Sequence, residues 1–127
     1  MTAPGYVELS WRLLSVRARL QFRGFAKVAE PSLQASADQP WEHAQPTVVR
    51  LRRLARWLPG STCLHRSLAL IEAARIRGLS ARLVMGVQRY GGVSRAHSWV
   101  QMGAQNLGET QRDGQPYAPL PSPEIKR

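Results

Sequence analysis

The hydrophobic pattern of this chain changes its period once, close to Gly78. Before that residue, apolar side chains recur every three or four positions, which is the repeat of an amphipathic α-helix. After it, the segment 81–90 alternates in polarity and is rich in aliphatic residues, which is typical of a β-strand. We therefore predict an α+β fold in which N-terminal helices precede an antiparallel β-meander.

Three helices are expected before the change of period. The first covers 9–29, with Ser10 as its N-cap. Its apolar stripe, expected to face the core, consists of Trp11, Leu14, Ala18, Phe22 and Phe25. The second helix follows Pro46, and its apolar face consists of Val48, Leu51, Leu54, Ala55 and Leu58. The third covers 63–77 and ends at Gly78, a residue type suited to the C′ position.

Three strands are expected after the change, and short turns join them. They cover 81–90, 95–102 and 105–109. The chain has 127 residues, a length typical of one domain, so we expect 1–127 to form a single domain. Its parts are an N-terminal helical part over 1–58, a core with the candidate catalytic residues over 59–113 and a Pro-rich tail over 114–127.

The chain is strongly basic, with 18 Lys and Arg residues against 8 Asp and Glu residues and a formal net charge of +10. Such a field attracts polyanions, acidic peptides or anionic lipid. The arginines are spread over several predicted elements and no standard nucleic-acid motif is present, so we expect no specific nucleic-acid binding.

The sequence also bounds the compartment. No stretch approaches the ~18 uninterrupted apolar residues of a membrane span, and the N-terminus lacks the pattern of a signal peptide. A single cysteine cannot form an internal disulfide, so nothing points to an oxidising environment. We therefore expect a cytoplasmic protein.

Cys63, the only cysteine, lies in the first turn of the third predicted helix, where Ser61 or Thr62 can act as the N-cap. The positive end of the helix dipole favours a thiolate, and unpaired N–H groups there can hold an oxyanion. On position alone an inert, buried thiol is the commoner case. One Cys with three scattered His lacks zinc-site spacing, and no Gly-rich phosphate loop is present, so we expect no metal or cofactor.

A thiolate nucleophile usually needs a histidine, and the chain has three. His43 lies in a polar linker and is expected to be solvated. His65 follows Cys63 by two residues on one helix, so the two side chains point about 200° apart. His97, in the middle of a strand, is the candidate base, although a lone strand histidine is more often structural.

The residue that orients His97 depends on the strand register. A two-residue loop at 103–104 continues the face of His97 through Asn106. A three-residue loop at 103–105 instead places Leu107 beside Trp99, on the face expected to cover the helix, and brings Glu109 diagonal to His97. The hydrophobic pattern favours the second register and therefore Glu109. The alternatives are Asn106 and Asp113.

Two blocks of the sequence, CLHRSLALIEAARIRGLSARLVMGVQ and AHSWVQMGAQNLGE, together resemble the lasso-peptide leader peptidases. These are small maturation proteins with a transglutaminase-like, papain-related cysteine-protease fold, and the match spans roughly 60–110. The resemblance implies Cys63 as nucleophile, His97 as general base and acid, and Glu109 as the acidic group that orients His97. The family usually has aspartate in this third place.

The resemblance also implies a reaction and its partners. The enzyme would cut a ribosomally made precursor peptide between its leader and its core, upstream of a separate ATP-using cyclase. Short forms of the family act with a separate leader-binding protein, which we expect as a partner, together with association with the cyclase. No cofactor is implied.

Two other functions fit the same sequence. A transglutaminase-like acyl transferase would use the same three residues and pass the acyl group to an amine instead of water. A non-enzymatic basic module would use the net charge of +10 to bind nucleic acid or an acidic partner.

Overall fold

The structure is a computed structural model that describes residues 4–24, 27–28, 31–32, 40–58, 62–90, 92–103, 105–107, 111–112 and 115–119. Its helices are α1 (Tyr6–Arg23), α2 (Ala44–Ala55) and α3 (Cys63–Arg75). Its strands are β1 (Arg82–Tyr90), β2 (Val93–Met102), β3 (Gln105–Leu107), β4 (Gln111–Arg112), β5 (Gln115–Pro116) and β6 (Ala118–Pro119). Helices precede an antiparallel sheet in the order β3-β2-β1-β6, which confirms the predicted α+β class.

Helix α3 is the centre of the fold and packs against α1, α2 and β2. It is apolar on nearly every side, and its buried residues are Ser67, Leu68, Ala69, Leu70, Ile71, Ala73 and Ala74. Thr62, one of the two predicted candidates, caps its N-terminus. At the other end Gly78 adopts a φ of 80°, and the N–H of Leu79 donates to the carbonyl of Ala74. This left-handed C-terminal turn sends the chain from the helix into β1.

Helix α1 differs from the prediction in its ends and in its buried face. It begins at Tyr6, so Ser10 lies inside it, and it ends at Arg23 because Gly24 adopts a φ of 84°. The buried residues are Leu9, Leu13 and Val16. The aromatic stripe predicted to face the core is exposed instead, with Trp11 at 67% and Phe22 at 82% exposure. Phe25 lies outside the described residues.

Helix α1 is apolar on two opposite faces, so periodicity alone does not decide which face is buried. Ion pairs between α1 and α3 decide it. Arg12 and Arg19 both pair with Glu72 of α3. Glu8 forms a two-pronged ion pair with Arg77 just beyond α3, with both N–O distances at 2.8 Å. These pairs flank the aliphatic face and hold it against α3. In the part of the chain that the structure describes, no helix is both long and apolar enough to cross a membrane.

Helix α2 packs through the face that the sequence predicts. Val48 and Leu51 are buried, and Leu54 packs against the core from a half-buried position. The helix begins at Ala44, earlier than predicted, so Pro46 lies inside its first turn. Proline is tolerated there because a first-turn N–H has no acceptor within the helix.

The sheet register is the one that the sequence analysis disfavoured. Val100 pairs with Leu107 and Met102 with Gln105, so the loop is the two-residue connection 103–104, where Gly103 adopts a φ of 58°. A left-handed glycine suits such short hairpin loops. Leu107 therefore lies beside Val100, and the expectation that it lies beside Trp99 is wrong.

This register decides which residues of β2 face the helices. Side chains alternate between the two faces of a strand. Val100 and Met102 belong to the helical core, so Ser98 shares their face. His97 and Trp99 lie on the opposite face of the sheet.

Part of the Pro-rich segment 114–127 contributes to the sheet. Ala118 and Pro119 form β6, which pairs with β1 at the edge of the sheet, where proline is accepted. Tyr117, just before β6, is buried.

Candidate active site

Cys63 is the first residue of α3, and a capping box fixes the turn that carries it. The N–H of Thr62 donates to Nδ1 of His65 at 2.9 Å, and the N–H of His65 donates to Oγ1 of Thr62 at 3.4 Å. Burial, and secondarily the charge of Arg17, lowers the pKa of His65 below its ordinary value. A neutral ring keeps Nδ1 available as the acceptor. His65 therefore has a structural role in this turn.

The Cys63 thiol is half-buried and contacts a pair of serines. Oγ of Ser98 lies 3.6 Å from Sγ of Cys63, in position to donate to the sulfur. Oγ of Ser67 lies 3.4 Å from Oγ of Ser98, and both serines are buried. This serine pair was not predicted from the sequence. Ser67 was visible as the i+4 neighbour of Cys63, but Ser98 depends on the strand register.

The thiol opens into a narrow cavity of about 40 Å³ between α2, α3 and the sheet. It is lined by Val48, Leu51, Arg52, Cys63, Arg66, Ser67, Leu70, His97, Ser98, Val100 and Leu107. Most of this wall is apolar, and the side chains of Arg52 and Arg66 also line the cavity. The cavity therefore combines the thiol of Cys63 with two arginines and with His97 in its wall.

His97 lies in the middle of β2, opposite Gly86 of β1. Its ring stacks on Tyr117, with centroids 4.9 Å apart and an interplanar angle of 29°. The ring of Trp99 lies 6.3 Å from that of His97. The packing therefore holds the imidazole between two elements that are distant in the sequence.

Gly86 makes this aromatic packing possible because it has no side chain. A Cβ there would lie 2.7 Å from the Trp99 ring and 2.9 Å from Cβ of Tyr117. Both distances are shorter than real Cβ contacts allow. The glycine therefore lets Trp99 and Tyr117 close over β1, beside His97.

Of the three candidates for the group that orients His97, the structure describes only Asn106. Glu109 and Asp113 lie outside the described residues. Asn106 is exposed and pairs with Gln101, four residues from His97 along β2. Four residues of a strand span about 13 Å, so the side chain of Asn106 is too far away to orient His97. The hairpin has the shorter loop, so the register that would bring Glu109 diagonal to His97 does not form.

The remaining histidine, His43, is the N-cap residue of α2 and is half-buried, not a solvated linker residue as expected. Its Nε2 lies 3.6 Å from Oε1 of Glu42. Among the described residues, no three His, Cys, Asp or Glu side chains are grouped as metal ligands would be.

The arrangement around Cys63 has the parts of a covalent acyl-transfer site. The N–H groups of Cys63 and Leu64 lie in the first turn of α3, where the helix provides no acceptor for them. Unpaired donors beside a thiol nucleophile can stabilise the oxyanion that forms when a carbonyl is attacked. The thiol and these donors therefore lie together at the start of α3, and His97 contributes to the wall of the adjacent cavity while its ring stacks on Tyr117 at the opposite face of the sheet.

Comparison with known proteins agrees with this arrangement. A sequence model of the transglutaminase-like superfamily matches residues 7–122, which is most of the chain. Neither a curated protein nor a solved structure matches it. The matched region includes α1 from Val7 onward, α2, α3, the four-stranded sheet and the cavity at Cys63. The chain therefore belongs to the transglutaminase-like superfamily, which includes cysteine peptidases.

Proposed function

We propose that this protein is a cytoplasmic cysteine peptidase that removes the leader from a ribosomally made lasso-peptide precursor. The observation that carries the proposal is that Cys63 and His97, from separate elements, line one narrow cavity. The resemblance of the two blocks around these residues to lasso-peptide leader peptidases supports the choice of substrate. Membership of the transglutaminase-like superfamily is compatible with this chemistry.

In the proposed reaction, the Cys63 sulfur attacks the carbonyl carbon of the last leader residue and forms a C–S bond. The N–H groups of Cys63 and Leu64 stabilise the oxyanion. In this reaction the His97 ring turns from Tyr117 toward the sulfur, accepts the thiol proton and gives it to the amine of the core peptide as the C–N bond breaks. Water then attacks the acyl-enzyme, which releases the leader as a carboxylic acid and restores the thiol. Glu109 is the proposed orienting group for His97, with Asp113 as the alternative.

The proposed reaction involves two partners. A separate leader-binding protein presents the precursor, as in the short forms of the family that the sequence resembles. A cyclase then uses the freed amine of the core, and association with it would keep the product from diffusing away. The apolar, narrow cavity favours a small residue beside the scissile bond.

The test measures leader release from a precursor peptide whose gene neighbours the gene for this protein. The leader-binding protein is present in the reaction. We expect cleavage by the wild type, no detectable cleavage by Cys63→Ala, and a loss of about 10³-fold or more for His97→Ala. His65→Gln is the matched control, because it changes a histidine on the same helix as Cys63 and preserves the cap.

The products separate this proposal from its rivals. Mass spectrometry should show a leader with a free carboxylate, whereas an amide would indicate acyl transfer to an amine. Equal cleavage by the wild type and Cys63→Ala, or no cleavage by either, would contradict the proposal.

A further inference from the structure

We propose that Ser98 is a positioning residue for the nucleophile, and that its hydroxyl donates a hydrogen bond to the Cys63 thiolate. The inference rests on the proposed function and adds a residue to it. Oγ of Ser98 lies 3.6 Å from Sγ of Cys63, and Ser98 is only 3% exposed. Water therefore has little access to this hydroxyl, whose Oγ contacts the sulfur of Cys63 and Oγ of Ser67.

The fold brings these two residues together through the register of the hairpin. Ser98 faces the helices because it shares the face of Val100, which pairs with Leu107. A shift of one residue in the pairing register of β2 would place the Ser98 side chain on the other face of the sheet. His97, its neighbour in sequence, occupies that other face and stacks on Tyr117.

A second serine completes a hydrogen-bonded chain. Ser67 follows Cys63 by one helical turn, so both side chains lie on the same face of α3. Its Oγ lies 3.4 Å from Oγ of Ser98. When Ser98 donates to the sulfur, its oxygen accepts the proton of Ser67. Each bond in such a chain strengthens the next, so the negative charge on sulfur benefits from both hydroxyls.

The hydrogen bond from Ser98 favours the reactive, deprotonated form of the thiol. A hydrogen bond to a charged acceptor is stronger than one to a neutral acceptor, so the Ser98 bond gains strength when Cys63 loses its proton. The bond also fixes the direction in which the sulfur points. Ser98 thus sets the position and charge of the sulfur, while His97 moves the proton in the proposed reaction.

The test is the rate of alkylation of Cys63 by iodoacetamide, measured from about pH 5.5 to about pH 9, a reaction that reports the thiolate and needs no precursor. We expect Ser98→Ala to lower the rate at neutral pH about tenfold and to move the profile to higher pH. Ser98→Thr retains the hydroxyl and should keep most of the wild-type rate. Ser94→Ala, at an exposed position on the same strand, is the matched control and should leave the profile unchanged.

A second variant keeps the inference falsifiable if Ser98→Ala fails to fold by circular dichroism. Ser67→Ala removes only the supporting hydroxyl, and we expect it to lower the alkylation rate about threefold. A profile unchanged by whichever variant folds would overturn the inference. So would an equal loss in Ser98→Thr, because that would indicate a packing effect.

The two experiments distinguish failure of the peptidase function from failure of the role of Ser98. A wild type that releases no leader contradicts the peptidase function, and the alkylation profile still decides the role of Ser98. A wild type that releases leader, with Ser98→Ala equally active and equally alkylated, overturns the role of Ser98 alone.

Discussion

Each histidine of this chain has a different structural setting, and the setting decides its chemistry. His65 accepts a hydrogen bond from the N–H of Thr62 and holds the first turn of α3. His43 is the N-cap residue of α2. His97 lines the cavity at Cys63. Helical geometry already separates His65 from Cys63 in the sequence, because residues two apart on a helix do not share a face.

The capping role of His65 predicts a pH-dependent stability. Its folded-state pKa is lowered, so the unfolded state binds more protons as the pH falls below the ordinary value of 6.5. The contribution of His65 is therefore fully present above that value and is lost as the pH falls through the folded-state pKa. We expect the free energy of unfolding, measured by urea titration, to fall between about pH 7.5 and about pH 5.

The control is His65→Gln, which keeps a side-chain acceptor for the cap but does not titrate. Other groups titrate in both proteins, so the difference between the two pH profiles isolates His65. Identical profiles would show that His65 does not contribute to the pH dependence.

At the scale of the element, α1 shows the limit of hydrophobic periodicity. Trp11 and Phe22 recur at helical spacing, and so do Leu9, Leu13 and Val16 on the opposite face. The pattern alone cannot rank two apolar faces. Contacts with α3 and the ion pairs to Glu72 select the aliphatic face.

The two faces of α1 predict opposite results for a matched pair of substitutions. Leu13→Ala removes a buried side chain and should lower the free energy of unfolding by about 2–5 kcal/mol. Trp11→Ala removes a larger side chain that is 67% exposed and should change it by about 0.5 kcal/mol or less. Chemical denaturation of the two variants and the wild type provides the measurement. A larger loss for Trp11→Ala would mean that the aromatic face is buried.

At the scale of the whole molecule, some of the basic side chains behind the net charge of +10 form ion pairs within the fold. Arg12, Arg19 and Arg77 pair with carboxylates that join α1 to α3 and its C-terminal end. Arg52 and Arg66 line the cavity. The charge therefore has structural uses in addition to any attraction for an acidic partner.

This charge predicts weak, nonspecific binding to DNA. We expect binding of unrelated duplexes at low salt that weakens by an order of magnitude or more between about 50 and about 200 mM salt, because counterion release drives it. Fluorescence anisotropy with two unrelated sequences measures it, and competitor DNA should leave leader release unchanged at the higher salt. Salt-resistant binding that discriminates between the sequences would instead favour the basic binding module.

The sequence by itself determined the order of the elements and the glycine turn at Gly78 after α3, and it indicated Ser61 or Thr62 as the cap and Cys63 and His97 as candidate catalytic residues. These features depend on local periodicity, capping chemistry and short motifs. Only the tertiary structure decided which face of α1 is buried, that Leu107 pairs with Val100, and that Ser98 meets the thiol. Each of these depends on contacts between segments that are far apart in the chain, and a one-residue change of loop length reverses the strand face.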